Sequence, residues 1–425
     1  FDRDGWPQTP PARRAAMLRR LAELIESSAE ALTYQQIREN GKLVSEMRPG
    51  TDLIARSCNY FAGLAETTGG VTVPTPGFTT YTVREPIGVI AAVTPWNSPL
   101  LLLGWKLFPA LAAGNTVVIK PSEVTPTSTL KLAELVAEAG FPRGVVNVVT
   151  GHGNPTGAAL ASHPGVDKIA FTGSTAAGKA IARAAADRCA RVSLELGGKS
   201  PNILFADANV SAAVDGVIAG IFAATGQTCV AGSRVLVERR IYSEVADLLV
   251  RRARELEPGD PLDPATRLGP VASRAQLEKI LRYFEIAKEE GLERLAGGRR
   301  LDRPGFFVEP TVYGNVPNRC RIACEEIFGP VAALIPFDGE DEAVAIANDT
   351  PFGLAAGIWT ESVRRAHRMV PRLRAGTVWV NNYRQMTYGV PFGGFRQSGI
   401  GRELGPEALN EFTEVKSVWI DAGGP

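Results

Sequence analysis

Histidine is scarce in this chain: only His152, His163 and His367 occur among 425 residues. A Ser-His-Asp relay would have to draw on those three, and none lies in a motif of that kind. Net charge is also nearly absent, with 46 Lys plus Arg against 45 Asp plus Glu. No strong field therefore points to nucleic acid or an anionic membrane, and small, near-neutral partners fit better. Long apolar runs are missing too. The most apolar stretch, Val89 to Leu103, is interrupted by Pro95, Asn97 and Pro99 and is too short to span a bilayer as a helix, so no membrane segment is implied. Cysteine is limited to Cys58, Cys189, Cys229, Cys320 and Cys324, an odd number without paired spacing. That pattern suits a reducing compartment better than a disulfide framework, and the cytoplasm is the expected location. Cys320 and Cys324 have no His nearby and read as packed thiols, so no metal site is expected.

With 45% hydrophobic and 21% charged residues, the chain can bury a large core, and its length suggests two or three domains. Ala15, Leu18, Leu21, Leu24 and Ile25 recur at helical spacing and predict an amphipathic helix over residues 12–35. Strand-like runs at 89–93 and 116–119 then alternate with helical stretches at 100–113 and 128–139, which predicts an α/β fold with a parallel sheet. A second α/β unit follows Gly197, with a strand at 202–205, a helix at 210–225, a strand at 234–238 and helices beginning at Tyr242 and Ala275. Segments 68–86 and 411–420 alternate polar and apolar residues. Uncovered strands of that kind favour self-association, so an oligomer is expected.

Three segments carry the chemistry. Cys229 lies in Thr225-Gly226-Gln227-Thr228-Cys229-Val230-Ala231-Gly232-Ser233-Arg234, where small and polar neighbours leave room around the sulfur. A reactive cysteine needs that access, a stabilised thiolate and nearby backbone N–H groups, whereas a structural one packs among aliphatic residues. Glu195 ends the apolar run Leu194-Glu195-Leu196 just before Gly197-Gly198, where partial burial would raise its pKa towards that of a water-activating base. An exposed strand-end carboxylate is the plainer alternative. Asn97 sits between Pro95 and Pro99, which fix the backbone and so direct its amide, either as an oxyanion donor or in an ordinary Asx turn.

A fourth segment, Gly173-Ser174-Thr175-Ala176-Ala177-Gly178-Lys179, satisfies the spacing of a P-loop, but Ala180 follows where magnesium binding requires Ser or Thr. The strand Lys168 to Phe171 instead feeds a glycine turn and a helix N-terminus whose N–H groups can receive a pyrophosphate, which suits a dinucleotide. Gly151, Gly153 and Gly157 miss the Rossmann fingerprint by one residue and read as a turn.

In order along the chain, the Asn97, Glu195 and Cys229 segments resemble the NAD(P)-dependent aldehyde dehydrogenase superfamily. Val118-Ile119-Lys120-Pro121-Ser122-Glu123, Phe171-Thr172-Gly173-Ser174, Glu325-Glu326-Ile327-Phe328-Gly329-Pro330, Asn348 to Leu354 and Pro391-Phe392-Gly393-Gly394-Phe395 resemble that family's motifs as well. The likeness runs from about Trp6 to Ile420. It implies a Rossmann-like dinucleotide-binding domain (1–67 and 87–197), an α/β catalytic domain (198–408) and a β oligomerisation arm (68–86 and 409–425), in a homodimer or homotetramer. The family usually carries further strands before the region matching Trp6, so the start is expected to be missing from this sequence.

The resemblance also implies roles. Cys229 is the expected nucleophile, Asn97 with the Cys229 N–H the oxyanion donors, and Glu195 the base that hydrolyses a thioester. Lys106 and Glu403 match positions that relay a proton outward or serve as solvated surface groups. Thr94, Trp96, Lys120, Ser122, Glu123, Gly173, Ser174, Leu196, Glu326 and Phe328 match cofactor-binding positions, with Lys120 and Glu123 at the adenosine ribose. A carboxylate there accepts from ribose hydroxyls and repels a 2′-phosphate, so NAD is expected over NADP. The presence of Glu195 favours the acid-forming branch over coenzyme A acylation. A cofactor-independent thiol esterase remains the alternative. Ser98, Leu102, Trp105, Ala223, Thr228, Val230 and Phe392 match the walls of the substrate tunnel. Ser98 and Ala223 stand where relatives often carry aromatic rings, so a wide tunnel for a bulky or aromatic aldehyde is expected. Arg384 falls near the tunnel mouth, where it either attracts an acidic substrate or forms a structural salt bridge.

Overall fold

The computed structural model describes residues 1, 5–421 and 423. Short apolar runs bounded by turn residues form its strands, as expected of sheets covered on both faces. After β1 (Phe78–Pro86), one sheet is built by β2 (Val89–Val93), β3 (Thr116–Lys120), β4 (Val146–Val148), β5 (Lys168–Thr172) and β6 (Arg191–Glu195). A second is built by β7 (Pro201–Leu204), β8 (Arg234–Glu238), β9 (Glu293–Ala296), β10 (Thr311–Gly314), β11 (Val331–Phe337), β12 (Ala355–Trp359) and β13 (Thr377–Val380). The chain then returns to the first sheet through β14 (Gly399–Ile400), and β15 (Thr413–Asp421) pairs antiparallel with β1 as a separate ribbon.

Strand order is β14-β6-β5-β2-β3-β4 in the first sheet and β13-β12-β7-β8-β11-β10-β9 in the second. Within these two sheets only β14 and β9, each at an edge, run antiparallel to their neighbours. This is the α/β architecture expected from the alternation of strands and helices. In the first sheet the chain winds outward from β2 to β3 and β4, then crosses back to β5 and β6. The carboxyl ends of β2 and β5 therefore flank a topological switch point, where open α/β sheets bind ligands. Val93 is opposite both Lys120 and Phe171, and Thr172 is opposite Glu195, so these strand ends share one edge.

The helix Pro99–Ala113 lies at the centre of the molecule, with all its residues except Leu101 buried. Proline at its first position needs no hydrogen-bond partner for a missing N–H, and Gly114 closes its end at φ 93°, a left-handed conformation that Gly adopts without a Cβ clash. Against it pack Leu18 and Phe61 from the helices Pro11–Ser27 and Val44–Ala65.

Three elements differ from the sequence expectation. The helix expected over 12–35 is two helices, Pro11–Ser27 and Ala29–Asn40, broken at Ser28. Ser27 and Ser28 are weak helix formers, and the Ser27 hydroxyl turns back to donate to the Leu24 carbonyl at 3.0 Å. The helix expected to reach 225 stops at Ile221 because Ala224 and Thr225 adopt left-handed φ values of 55° and 53°. Of the segment 68–77, only the bridges of Thr72 to Tyr81 and Thr75 to Phe78 join the ribbon, since Pro74, Pro76 and the Gly69-Gly70 pair interrupt a regular ladder.

Candidate active site

The strained turn at Ala224 and Thr225 delivers Cys229. Left-handed conformations cost non-glycine residues of order 1–3 kcal/mol and persist only where the surroundings enforce them. Here the Thr225 hydroxyl donates to the Gly269 carbonyl at 2.9 Å, and the Ala224 N–H donates to the Glu46 carboxylate. Gly226 follows at φ 71°, with an added Cβ coming within 2.1 Å of the Gly329 carbonyl, so the turn is pressed against the loop that carries Glu326 and Phe328. Cys229 is thereby held in a polar turn, partly exposed.

Two cavities share Asn97, Leu102 and Cys229 as walls. One has a volume of about 150 Å³ and reaches the switch point of the first sheet, where Gly173 and Ser174 line it. The other has about 270 Å³ and runs out between the helices of residues 29–65 and the loop after β13. Asn97 is 6% exposed and donates through Nδ2 to the Gln227 carbonyl at 3.1 Å, which leaves its second amide hydrogen available. Gln227 is itself fixed, with its Oε1 accepting from the Ala272 N–H at 2.9 Å.

The surroundings do not hold Cys229 as a thiolate. Burial first, then the Glu195 and Glu326 carboxylates, push its pKa up to about 12, and the N–H groups of Cys229 and Val230 oppose this only in part. The small, polar neighbours give access to the sulfur, while burial and the two acidic groups that the fold brings close oppose its ionisation.

Glu195, at the end of β6, is 5% exposed and lines neither cavity. It is therefore not an exposed strand-end carboxylate, and its Oε1 is buried with no hydrogen-bond partner. Burial raises its pKa well above the usual carboxylate range, the Glu403 charge adds to this, and Lys106 and Arg402 act against it. Lys106 and Glu403 are buried rather than solvated. Lys106 Nζ lies 2.5 Å from Glu403 Oε1 and 2.5 Å from the Thr172 hydroxyl. Lys106⁺ favours the ionised forms of Glu195 and Glu403, so its removal raises both pKa values further. We expect Lys106→Met to move the acidic limb of the pH–rate profile to higher pH and to lower the rate at pH 7 by about tenfold or more. An unmoved limb would show that Lys106 does not act on Glu195.

The first cavity suits one end of a dinucleotide. Trp96 and Phe328 meet edge to face across it at 5.3 Å, and Leu196 completes its apolar wall. Glu326 is partly buried and accepts from the Gly198 N–H at 2.9 Å. Two glycines keep the space open: an added Cβ would come within 2.5 Å of the Phe171 ring at Gly173, and of Glu326 Oε2 at Gly197. Nearby at the end of β2, Thr94 Oγ1 is buried without a partner. Ser174 caps the helix Thr175–Ala186 by accepting from the Ala177 N–H at 3.2 Å. Lys120, Ser122 and Glu123 stand at and just beyond the carboxyl end of β3, outside both cavities, with Lys120 Nζ 3.5 Å from Glu123 Oε2. Lys179, the lysine of the apparent P-loop, is instead bonded to Gln397 Oε1 at 2.9 Å.

A model of the aldehyde dehydrogenase family matches residues 2–418. The chain belongs to that family. It is 43% identical over 425 residues to a betaine aldehyde dehydrogenase of Bacillus subtilis, covering 99% of this chain and 87% of that protein. It is 45% identical over 418 residues to human retinal dehydrogenase 2, covering 98% of this chain and 81% of that protein. The structure of an NAD+ complex of an aldehyde dehydrogenase from Bacillus cereus superimposes with a TM-score of 0.98 at 44% identity, over 100% of this chain and 87% of that one.

This aldehyde dehydrogenase family member lines its second cavity with Ser98, Trp105, Thr228, Val230, Arg384 and Phe392. Ala223 is not among the lining residues; it opens the turn of residues 223–226. Arg384, at φ 65°, donates to the Ala219 carbonyl at 3.1 Å, and among the described residues no carboxylate lies within ion-pair distance of it. The salt-bridge alternative is thus not observed. Sequence reasoning missed Lys42, Glu46 and Met47 on the second cavity and Gln276 and Lys279 on the first. Gln276 and Lys279 share a helix face at i, i+3 spacing, and Gln276 donates to the Ile327 and Phe328 carbonyls at 3.0 and 2.8 Å, which fixes the cavity wall. Lys42 Nζ donates to the Ser98 hydroxyl at 2.9 Å, so an ammonium group occupies the side of the tunnel that Ser98 was expected to leave open.

Proposed function

We propose that this protein oxidises an aldehyde to a carboxylic acid with reduction of NAD, through a thioester on Cys229 that Glu195-activated water hydrolyses. The observation that carries this reading is that a cavity at the switch point of the nucleotide sheet, with room for one end of a dinucleotide, and a cavity open to a small molecule meet at Cys229 and Asn97. A cofactor-free thiol esterase would make no use of the first.

In this mechanism Cys229 Sγ forms a bond to the aldehyde carbon while its proton leaves, and the carbonyl oxygen takes the resulting negative charge. The free amide hydrogen of Asn97 and the Cys229 N–H hold that oxyanion. NAD, held by Trp96, Gly173, Ser174, Leu196, Glu326 and Phe328 with Thr94, Lys120, Ser122 and Glu123 further along the strand ends, supplies the hydride acceptor. Loss of hydride leaves the thioester. Glu195 takes a proton from water, the water oxygen adds to the acyl carbon, and the C–S bond breaks to release acid and thiol. Glu403 and Lys106 pass the proton onward. Aldehyde, NAD and water thus give carboxylic acid, NADH and one proton.

The test is the appearance of reduced nicotinamide with NAD or NADP and a panel of aliphatic, aromatic and carboxylated aldehydes. Turnover with NAD supports the reading; binding of NAD without turnover of any aldehyde contradicts it. Glu123 sets cofactor choice in this account, so Glu123→Gln is expected to raise the NADP-to-NAD ratio of kcat/KM by roughly tenfold. An unchanged ratio would remove Glu123 from that role.

The ribbon of β1 and β15 exposes Phe78, Val415, Trp419 and Ile420, a face that supports burial against further copies in a homodimer or homotetramer. The proposed division is a nucleotide domain of 1–67 and 87–197, a catalytic domain of 198–408 from which β14 returns to the nucleotide sheet, and an arm of 68–86 and 409–425. Among the described residues no helix is long and apolar enough to cross a membrane. The five free cysteines support a cytoplasmic location.

A further inference from the structure

The second cavity carries two cationic side chains on its wall. Lys42 and Arg384 both line it, and Trp105, 2% exposed, lines it with an Nε1–H that has no acceptor in the protein. The carboxylate of Glu46 is on the same wall, but its two oxygens already accept from the N–H groups of Leu43 and Ala224. Neither cation has a carboxylate within ion-pair distance among the described residues. Two cations on one small cavity repel each other, and an anion between them would remove that cost.

We propose, on the basis of the dehydrogenase reading above, that the substrate is an aldehyde carrying a carboxylate at the far end of a short chain, held by Lys42 and Arg384 with Trp105 as a further donor. Cys229 on the same cavity then receives the aldehyde end. A guanidinium and an ammonium that keep their other contacts to the Ala219 carbonyl and the Ser98 hydroxyl are pre-positioned for this, at little further loss of side-chain freedom. A neutral aldehyde of equal length would leave Arg384 without a charge partner and Lys42 with the Glu46 charge alone, a cost of the kind that produces discrimination.

Protonation gives an independent handle. Lys42 is faced by Glu46 from its own side of the cavity, by Arg384 from the loop after β13 and by Cys229 from the catalytic turn. Burial lowers its pKa to about 8, with Arg384 acting in the same direction and Glu46 and Cys229 against. Lys42 is therefore charged at pH 7 and loses its charge as the pH rises through 8.

The experiment compares kcat/KM for succinic semialdehyde and butanal in the wild type and in Lys42→Met, Lys42→Arg and Arg384→Gln, across pH 6.5–9. Calorimetric titration of the NAD-saturated protein with glutarate and with its neutral diamide runs in parallel. We expect the carboxylated substrate to be preferred by about tenfold or more at pH 7. That preference should collapse in Lys42→Met and Arg384→Gln, persist in Lys42→Arg, and fade above pH 8 in the wild type. Turnover of butanal with a substrate ratio that no variant moves would overturn the anion site and leave the dehydrogenase reading intact. If no aldehyde is turned over, the dehydrogenase reading fails and the titration decides the site: glutarate binding lost in the variants supports it, and equal binding of glutarate and the diamide overturns it.

Discussion

Cys229→Ala is expected to lower NAD-dependent aldehyde oxidation by at least about a thousandfold while NAD binding, followed by calorimetry, is retained. The other four thiols cannot substitute: Cys58 is fully buried, and neither it nor Cys189, Cys320 or Cys324 lines the cavities that meet at Cys229. The alanine fits the site without strain, since Cys229 lies in a turn rather than in a close-packed core. A variant keeping a tenth of the wild-type rate would mean that another group attacks the aldehyde. Because burial and two carboxylates hold the Cys229 pKa near 12, the wild-type rate of aldehyde attack should also rise with pH across the neutral range.

The second large effect is expected at Glu195. Glu195→Gln keeps the size of the side chain but cannot take a proton from water, so attack on the aldehyde and hydride loss proceed and hydrolysis stalls. Rapid-mixing measurements should show a burst of about one NADH per site, followed by a steady rate lowered roughly 10²- to 10⁴-fold. The wild type ionises Glu195 only above the usual carboxylate range, because burial and the Glu403 charge oppose it. Its hydrolysis step should therefore speed up with pH through that titration, and the glutamine variant should lose the dependence. A missing burst with an equally slow steady state would place Glu195 in the first chemical step instead.

Much of the α/β architecture was legible because buried parallel strands read as short apolar runs. Val89–Val93 and Arg234–Glu238 are strands with the bounds their composition suggests. The Asn97, Glu195 and Cys229 segments stood out for local reasons: prolines, a double glycine and small polar neighbours are visible within a few residues. What the sequence hid depends on distant partners. Lys42 comes to the second cavity from just beyond the helix Ala29–Asn40, and its contact with Ser98 depends on tertiary packing that no local spacing reveals. The break at Ser28 interrupts a helical periodicity that continues on both sides, so the pattern alone joined two helices into one. The rise in the Cys229 pKa was not legible, because Glu195 and Glu326 reach it only through the fold. Ala223 was expected on the tunnel wall from the resemblance, and it is not among the residues that line the second cavity.

The most direct test of the account is the mass of the protein after mixing Glu195→Gln with NAD and an aldehyde, then quenching in acid. The account predicts an added acyl group on the peptide containing Cys229, formed only when NAD is present and matched one to one by NADH. An unmodified Cys229 after NADH has formed, or an acyl group on any other residue, would contradict it.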